Sequence, residues 1–126
     1  MAMQPDSPTV LIIDDEPSIL HVMEAWLTSA GFSVHAASTA TDARSFTKER
    51  TPDLIVSDVM MPELEGPALV TELKAAGVAC PVLFTSGDPS FRVVDDSLQV
   101  PGATFLPKPF SSRELIDAVF ETLGQR

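Results

Sequence analysis

Residues 10-VLIIDDEPS-18 set four aliphatic side chains in a row and then stop abruptly at three acids. A strand with one wet face alternates apolar and polar residues, whereas an unbroken apolar run suits a strand buried on both faces. Pro17 fits the first turn of a helix, and Gly31 fits its end. Between them, Ile19, Leu20, Met23, Trp26, Leu27 and Ala30 recur on one face at helical spacing, with His21, Glu24 and Thr28 toward the other. The stretch therefore reads as a buried strand, an acidic turn and an amphipathic helix.

The same unit recurs along the chain. Further apolar runs occur at 33-SVHAA-37, 54-LIVS-57, 81-PVLFT-85 and 103-ATFL-106. Helical patterns follow over 39–50, 66–76, 89–98 and 111–123, with Gly77 and Gly124 as stops for the second and last of these. The 89–98 helix opens at Asp88-Pro89 and closes before Pro101-Gly102, although 93-VVDDS-97 has low helix propensity. Five strand–helix units in alternation predict an α/β fold: a doubly wound parallel sheet with helices on both faces.

Length and composition bound the rest. The chain has 126 residues, enough for one domain, with residues 1–8 as a loose tail and 9–124 as the folded unit. Eighteen acids against eight bases give a net charge of −10, which would repel a phosphate backbone and argues against direct nucleic-acid binding. No apolar run approaches the ~20 residues of a membrane span, and the first residues lack a secretory pattern. A lone Cys80 makes no internal disulfide. These features are those of a cytoplasmic domain.

In sheets of this type, ligands sit at the carboxyl ends of the strands. Those ends carry Asp14-Asp15-Glu16, Asp58, Thr85-Ser86 and Lys108. Each alone reads as a cap or turn residue. Together they place acids from two strands, a hydroxyl and a cation on one edge. Clustered carboxylates repel one another unless a cation sits among them, and hard oxygen donors suit Mg²⁺. Mg²⁺ beside a lysine and a hydroxyl suits a phosphoryl group. By contrast, His21 and His35 read as surface residues, Trp26 as core, and Met60-Met61 as loop and packing.

The segments 10-VLIIDDEPS-18, 57-SDVMMPELEG-66, 83-LFTSG-87 and 105-FLPKPF-110 resemble, in order and spacing, the signature segments of response-regulator receiver domains of two-component and phosphorelay signalling. The similarity covers about residues 9–123. It implies a flavodoxin-like sheet of order 2-1-3-4-5 with five helices. It implies that Asp58 accepts a phosphoryl group from the phosphohistidine of a histidine kinase or histidine phosphotransfer protein. Asp14, Asp15, Asp58 and the Met60 backbone carbonyl would bind Mg²⁺, with Asp14 acting through water. Thr85 and Phe105 would be switch residues, Lys108 would contact a phosphoryl oxygen, and Pro109 would be a cis proline. The chain would be a signalling phosphoacceptor rather than an enzyme, with Mg²⁺-dependent self-phosphorylation and self-dephosphorylation. It would signal to a downstream protein through the face made by the fourth helix, fifth strand and fifth helix, with no output domain of its own.

Some residues depart from the family pattern or lie at its variable positions. Met60 and Gly87 occupy positions that vary within the family, Pro67 replaces a helix former, and Pro107 is not accounted for. The Gly87–Gly102 segment is more similar to receivers of hybrid sensor kinases. Two other readings compete. A haloacid-dehalogenase-type phosphatase would need Asp-x-Asp-x-Thr where 14-DDEPS-18 stands, a departure at two of three positions. A degenerate receiver would serve only as a docking module.

Overall fold

A computed structural model describes residues 7–61, 66–87 and 102–124. In chain order the elements are β1 (Thr9–Ile13), α1 (Pro17–Ser29), β2 (Ser33–Ala37), α2 (Ala40–Glu49), β3 (Leu54–Asp58), α3 (Gly66–Ala75), β4 (Val82–Ser86), β5 (Thr104–Pro107) and α4 (Ser112–Leu123). All strand pairs are parallel, and the sheet order is β2-β1-β3-β4-β5. Four of the five expected helices fall among the described residues. The helix expected over 89–98 lies outside them, as do residues 1–6 of the expected tail. Among the described residues, no helix is long and apolar enough to cross a membrane.

The apolar runs of β1, β3 and β4 have the cause inferred from them, whereas β2 and β5, at the sheet edges, are for the most part only partly buried. Every residue of β3 and β4 is buried, because helices cover both faces of the sheet. Leu11, Ile13, Ile55, Val82 and Phe84 pack on one side against Ala43 of α2 and Leu69, Val70 and Leu73 of α3. Val10, Ile12, Leu54, Val56 and Leu83 pack on the other against Leu20, Met23 and Leu27 of α1 and Leu115 and Val119 of α4. Successive side chains of a strand alternate between these two cores.

Local chemistry fixes the helix ends. Thr39 caps α2 by accepting from the Asp42 amide at 3.0 Å. Ser111 and Glu114 form a reciprocal capping box at the start of α4, and Gly124 ends it in the left-handed region at φ 73°. The strand ends run slightly past the apolar runs, so that Asp58, Ser86 and Pro107 belong to β3, β4 and β5. Pro107 is permitted by position. The Lys108 amide donates inward to the Ser86 carbonyl, so the nitrogen of the preceding residue faces the open edge, where no acceptor is lost.

Gly66 starts α3 hard against the end of β3. Its amide donates to the Val59 carbonyl at 2.9 Å, and a Cβ there would overlap the Asp58 carbonyl oxygen and crowd the Ser57 hydroxyl. Gly66→Ala is therefore expected to lower the unfolding free energy by about 1–3 kcal/mol, the usual cost of forcing atoms into a packed site. Urea denaturation reads this out, and an unchanged midpoint would show that α3 can step back freely.

Candidate functional site

The register of the sheet brings the strand-end residues together. Ile12, Val56, Leu83 and Leu106 all face α1 and α4. Asp14, Asp58, Thr85 and Lys108 each stand two residues further along, so they emerge on that same side at the carboxyl edge. Asp58 pairs with Thr85 across β3 and β4, and Thr85 pairs with Leu106 of β5. This is why four residues spread over 95 positions share one site, and why its floor is aliphatic.

Asp14 and Asp58 are only 1% and 6% exposed, whereas Asp15 is open to solvent. A carboxylate oxygen from each of the three lies within 4.8 Å of the others. Lys108 reaches in from β5. Its Nζ donates to Asp14 Oδ2 at 2.9 Å and lies 3.5 Å from Asp58 Oδ1. The Glu16 amide donates to Asp14 Oδ1 at 3.0 Å, holding that carboxylate in the turn before α1. Two buried acids thus share one lysine, with one exposed acid beside them.

The electrostatics follow from that imbalance. Burial raises the Asp58 pKa above the ordinary aspartate value; Lys108 draws it down and the Asp14 charge pushes it up again. A hydrogen bond from the Met60 backbone amide also favours the charged form. Burial alone would lower the Lys108 pKa. The hydrogen bond and charge of Asp14, joined by Asp58, outweigh burial and hold the ammonium above its usual value. The lysine is therefore a fixed cation at neutral pH. It neutralises one of the carboxylates, and an oxygen-only donor set with surplus negative charge remains, which fits a hard divalent cation such as Mg²⁺.

The remaining expected residues lie around this cluster. Thr85 is buried at 1% exposure beside Asp58. Phe105 is partly buried on the opposite side of the sheet, tilted against Phe84 with centroids 5.7 Å apart. The Met60 side chain is half exposed at the rim. The Lys108–Pro109 peptide bond is cis. Sequence reasoning missed the roles of Gly66 and Ser57 and the aromatic contact between Trp26 and Phe110. Ser57 donates to the Asp58 carbonyl at 3.1 Å, beneath the acid.

Trp26, expected in the core, is half-buried at its margin, where it meets Phe110 edge to face at 6.5 Å and 64°. Its indole helps line a groove of about 360 Å³ whose opposite wall is Lys108, Pro109 and Phe110. Neither histidine approaches the acids. His21 is exposed on α1, and His35 on edge strand β2 stacks on Phe46 at 4.3 Å and meets Asp42 at 3.2 Å.

Comparisons with known proteins agree with this geometry. The sequence matches the response regulator receiver domain over residues 10–120. The sensor kinase CckA of Brucella abortus is 34% identical over 122 residues, which are 95% of this chain and 13% of that protein. The transcriptional regulatory protein PrrA of Mycobacterium tuberculosis is 37% identical over 123 residues, 95% of this chain and 52% of that protein. The chain thus spans about half of one relative's length and about an eighth of the other's. Among solved structures, a response regulator receiver protein from Sinorhizobium medicae superposes with a TM-score of 0.82 at 30% identity, covering 96% of this chain and 98% of that one. The receiver domain of the hybrid histidine kinase CckA gives 0.76 at 31% identity, over 91% and 98%. A buried aspartate beside a second acid, a lysine and a hydroxyl, on a sheet of this order and with these relatives, places the chain in the response regulator receiver domain family of two-component signalling.

Proposed function

We propose that Asp58 is the phosphoacceptor of this receiver domain, taking its phosphoryl group from the phosphohistidine of a histidine kinase or a histidine phosphotransfer protein. The observation that carries this reading is the Asp14–Lys108–Asp58 arrangement, in which a nucleophilic carboxylate lies beside a fixed cation and a shared oxygen cluster. An Asp58 oxygen attacks phosphorus, the P–N bond of the donor breaks, and its electron pair returns to the imidazole ring. Asp14, Asp15, Asp58 and the Met60 carbonyl would hold Mg²⁺, which when bound offsets charge on the transferring oxygens. Lys108 turns its ammonium to a phosphoryl oxygen, and the Thr85 hydroxyl donates to another. Phosphoryl gain and loss at Asp58 are then the domain's own Mg²⁺-dependent chemistry.

The signal passes outward from Thr85 and Phe105. Both stand on strands next to or at the open edge, so a shift at Asp58 reaches β5 and α4. That surface meets a downstream protein, in the cytoplasm, without direct contact to nucleic acid. Three expectations test this reading.

Asp58→Ala is expected to abolish uptake of radiolabelled phosphate from acetyl phosphate, while Lys108→Ala still folds but no longer switches partner binding on phosphorylation. Undiminished uptake by Asp58→Ala would overturn the assignment. Trp26 is the sole tryptophan and lines the groove with Lys108, so its fluorescence reports a Mg²⁺ titration directly. Asp15→Asn should weaken that binding by at least about tenfold, and an unchanged titration would remove Asp15 from the site.

The third expectation concerns pH. The Asp58 pKa is raised on folding, so the native state holds that proton more tightly than the unfolded chain does. The resulting penalty is absent below the ordinary aspartate range, builds as pH rises through it, and is complete at neutrality. Asp58→Asn removes the penalty and leaves Asp14 paired with Lys108. Thermal melts in the absence of Mg²⁺ should therefore show the variant more stable than wild type at neutral pH, by several degrees, with the gap closing in acid. A variant less stable at neutral pH would contradict this.

A further inference from the structure

The backbone alone holds Lys108 weakly. It follows an edge strand with a neighbour on one side only, and its amide makes a single bond, to the Ser86 carbonyl at 2.8 Å. Pro109 has no N–H to add. The chain is fixed again at the capping box of Ser111. Between those two points stands Phe110, whose ring packs at the edge of the apolar cluster under α1 and meets Trp26. Across the groove, Ile19 and Met23 complete the wall that Trp26 begins.

The lysine's task demands more than this backbone gives. Its Nζ must stay within reach of Asp14 Oδ2 and Asp58 Oδ1 at once, at 2.9 and 3.5 Å. A long side chain has many rotamers, so reaching both depends on where its Cα is held. We propose that Trp26, through its edge contact with Phe110, is a positioning residue that holds the 108–110 segment so that Lys108 bridges Asp14 and Asp58. The proposal rests on the phosphoacceptor reading of Asp58 for its consequence, and on the contact itself for its geometry.

The burial of α1 supports a role beyond packing. Leu20, Met23 and Leu27 are at most 6% exposed and close the core, whereas Trp26 is only partly buried at its margin, where its ring meets Phe110 in an edge-to-face pair. Val22, which is 42% exposed on the same helix and lines the same groove, is a control for that surface. An edge-to-face pair biases one placement over others by a factor of about two to ten.

The test compares Trp26→Leu, Trp26→Phe and Val22→Ala in two assays. One is the rate of acyl-phosphate formation from acetyl phosphate with Mg²⁺. The other, with neither phosphate nor metal, is the NMR signature of the Lys108 side chain, whose two Hε resonances separate only when the ammonium is held. Trp26→Leu should slow labelling by about two- to tenfold and merge the Hε resonances. Trp26→Phe, which keeps an aromatic edge, should recover both, and Val22→Ala should leave both as in wild type. If Trp26→Leu does not fold, Phe110→Leu removes the same contact from the other side and carries the same expectation. Wild-type labelling and unmoved resonances in the leucine variants would overturn the proposal, as would equal slowing in Val22→Ala. A wild-type chain that takes no phosphate would instead defeat the phosphoacceptor reading, and the Lys108 resonances would still decide the positioning role.

Discussion

The ammonium of Lys108, set between the nearly buried carboxylates of Asp14 and Asp58, is the contact on which the rest of the site depends. Two acids on an aliphatic floor repel each other and lose hydration, and either term alone favours a neutral site. One lysine cancels one charge and leaves the other carboxylate raised in pKa but available. That residual charge suits the edge to a hard cation and, on the proposed reading, leaves Asp58 the nucleophile. A fully balanced set of charges would be more stable and less useful.

Sheet geometry produces this arrangement cheaply. A parallel sheet buried on both faces places every second residue in the α1–α4 core, and the next position beyond that core emerges at the carboxyl edge. Ile12, Val56, Leu83 and Leu106 thereby aim Asp14, Asp58, Thr85 and Lys108 at one another without any dedicated loop. Gly66 completes the frame by letting α3 begin against the Asp58 carbonyl. The order β2-β1-β3-β4-β5 leaves the lysine just past the end of an edge strand, in which Pro107 is harmless.

Much of this was legible in the sequence, for physical reasons that can be named. The unbroken runs at 10–13 and 54–57 marked strands buried on both faces, and the acids that end them marked the edge of the sheet. Helix stops at Gly31, Gly77 and Gly124 lay where glycine's freedom at positive φ is used. What was not legible depends on contacts between distant segments. Trp26 and Phe110 are 84 positions apart, and no local pattern says that one ring meets the other's edge. The indole looked like core because its spacing on α1 matches Met23 and Leu27, yet only the packed structure reveals that its outer edge borders the lysine's groove. The reason for Gly66 was equally hidden, since the atom its Cβ would strike is a carbonyl oxygen at the end of β3 and not in its own helix.

Phosphate chemistry at a single carboxylate is the claim that joins these features, and an acyl phosphate can be located directly. Protein incubated with acetyl phosphate and Mg²⁺, then reduced with borohydride, carries homoserine wherever an aspartyl phosphate had formed. Peptide mass spectrometry should find that conversion at Asp58 and nowhere else. Homoserine at Asp14 or Asp15, with Asp58 intact, would contradict the account.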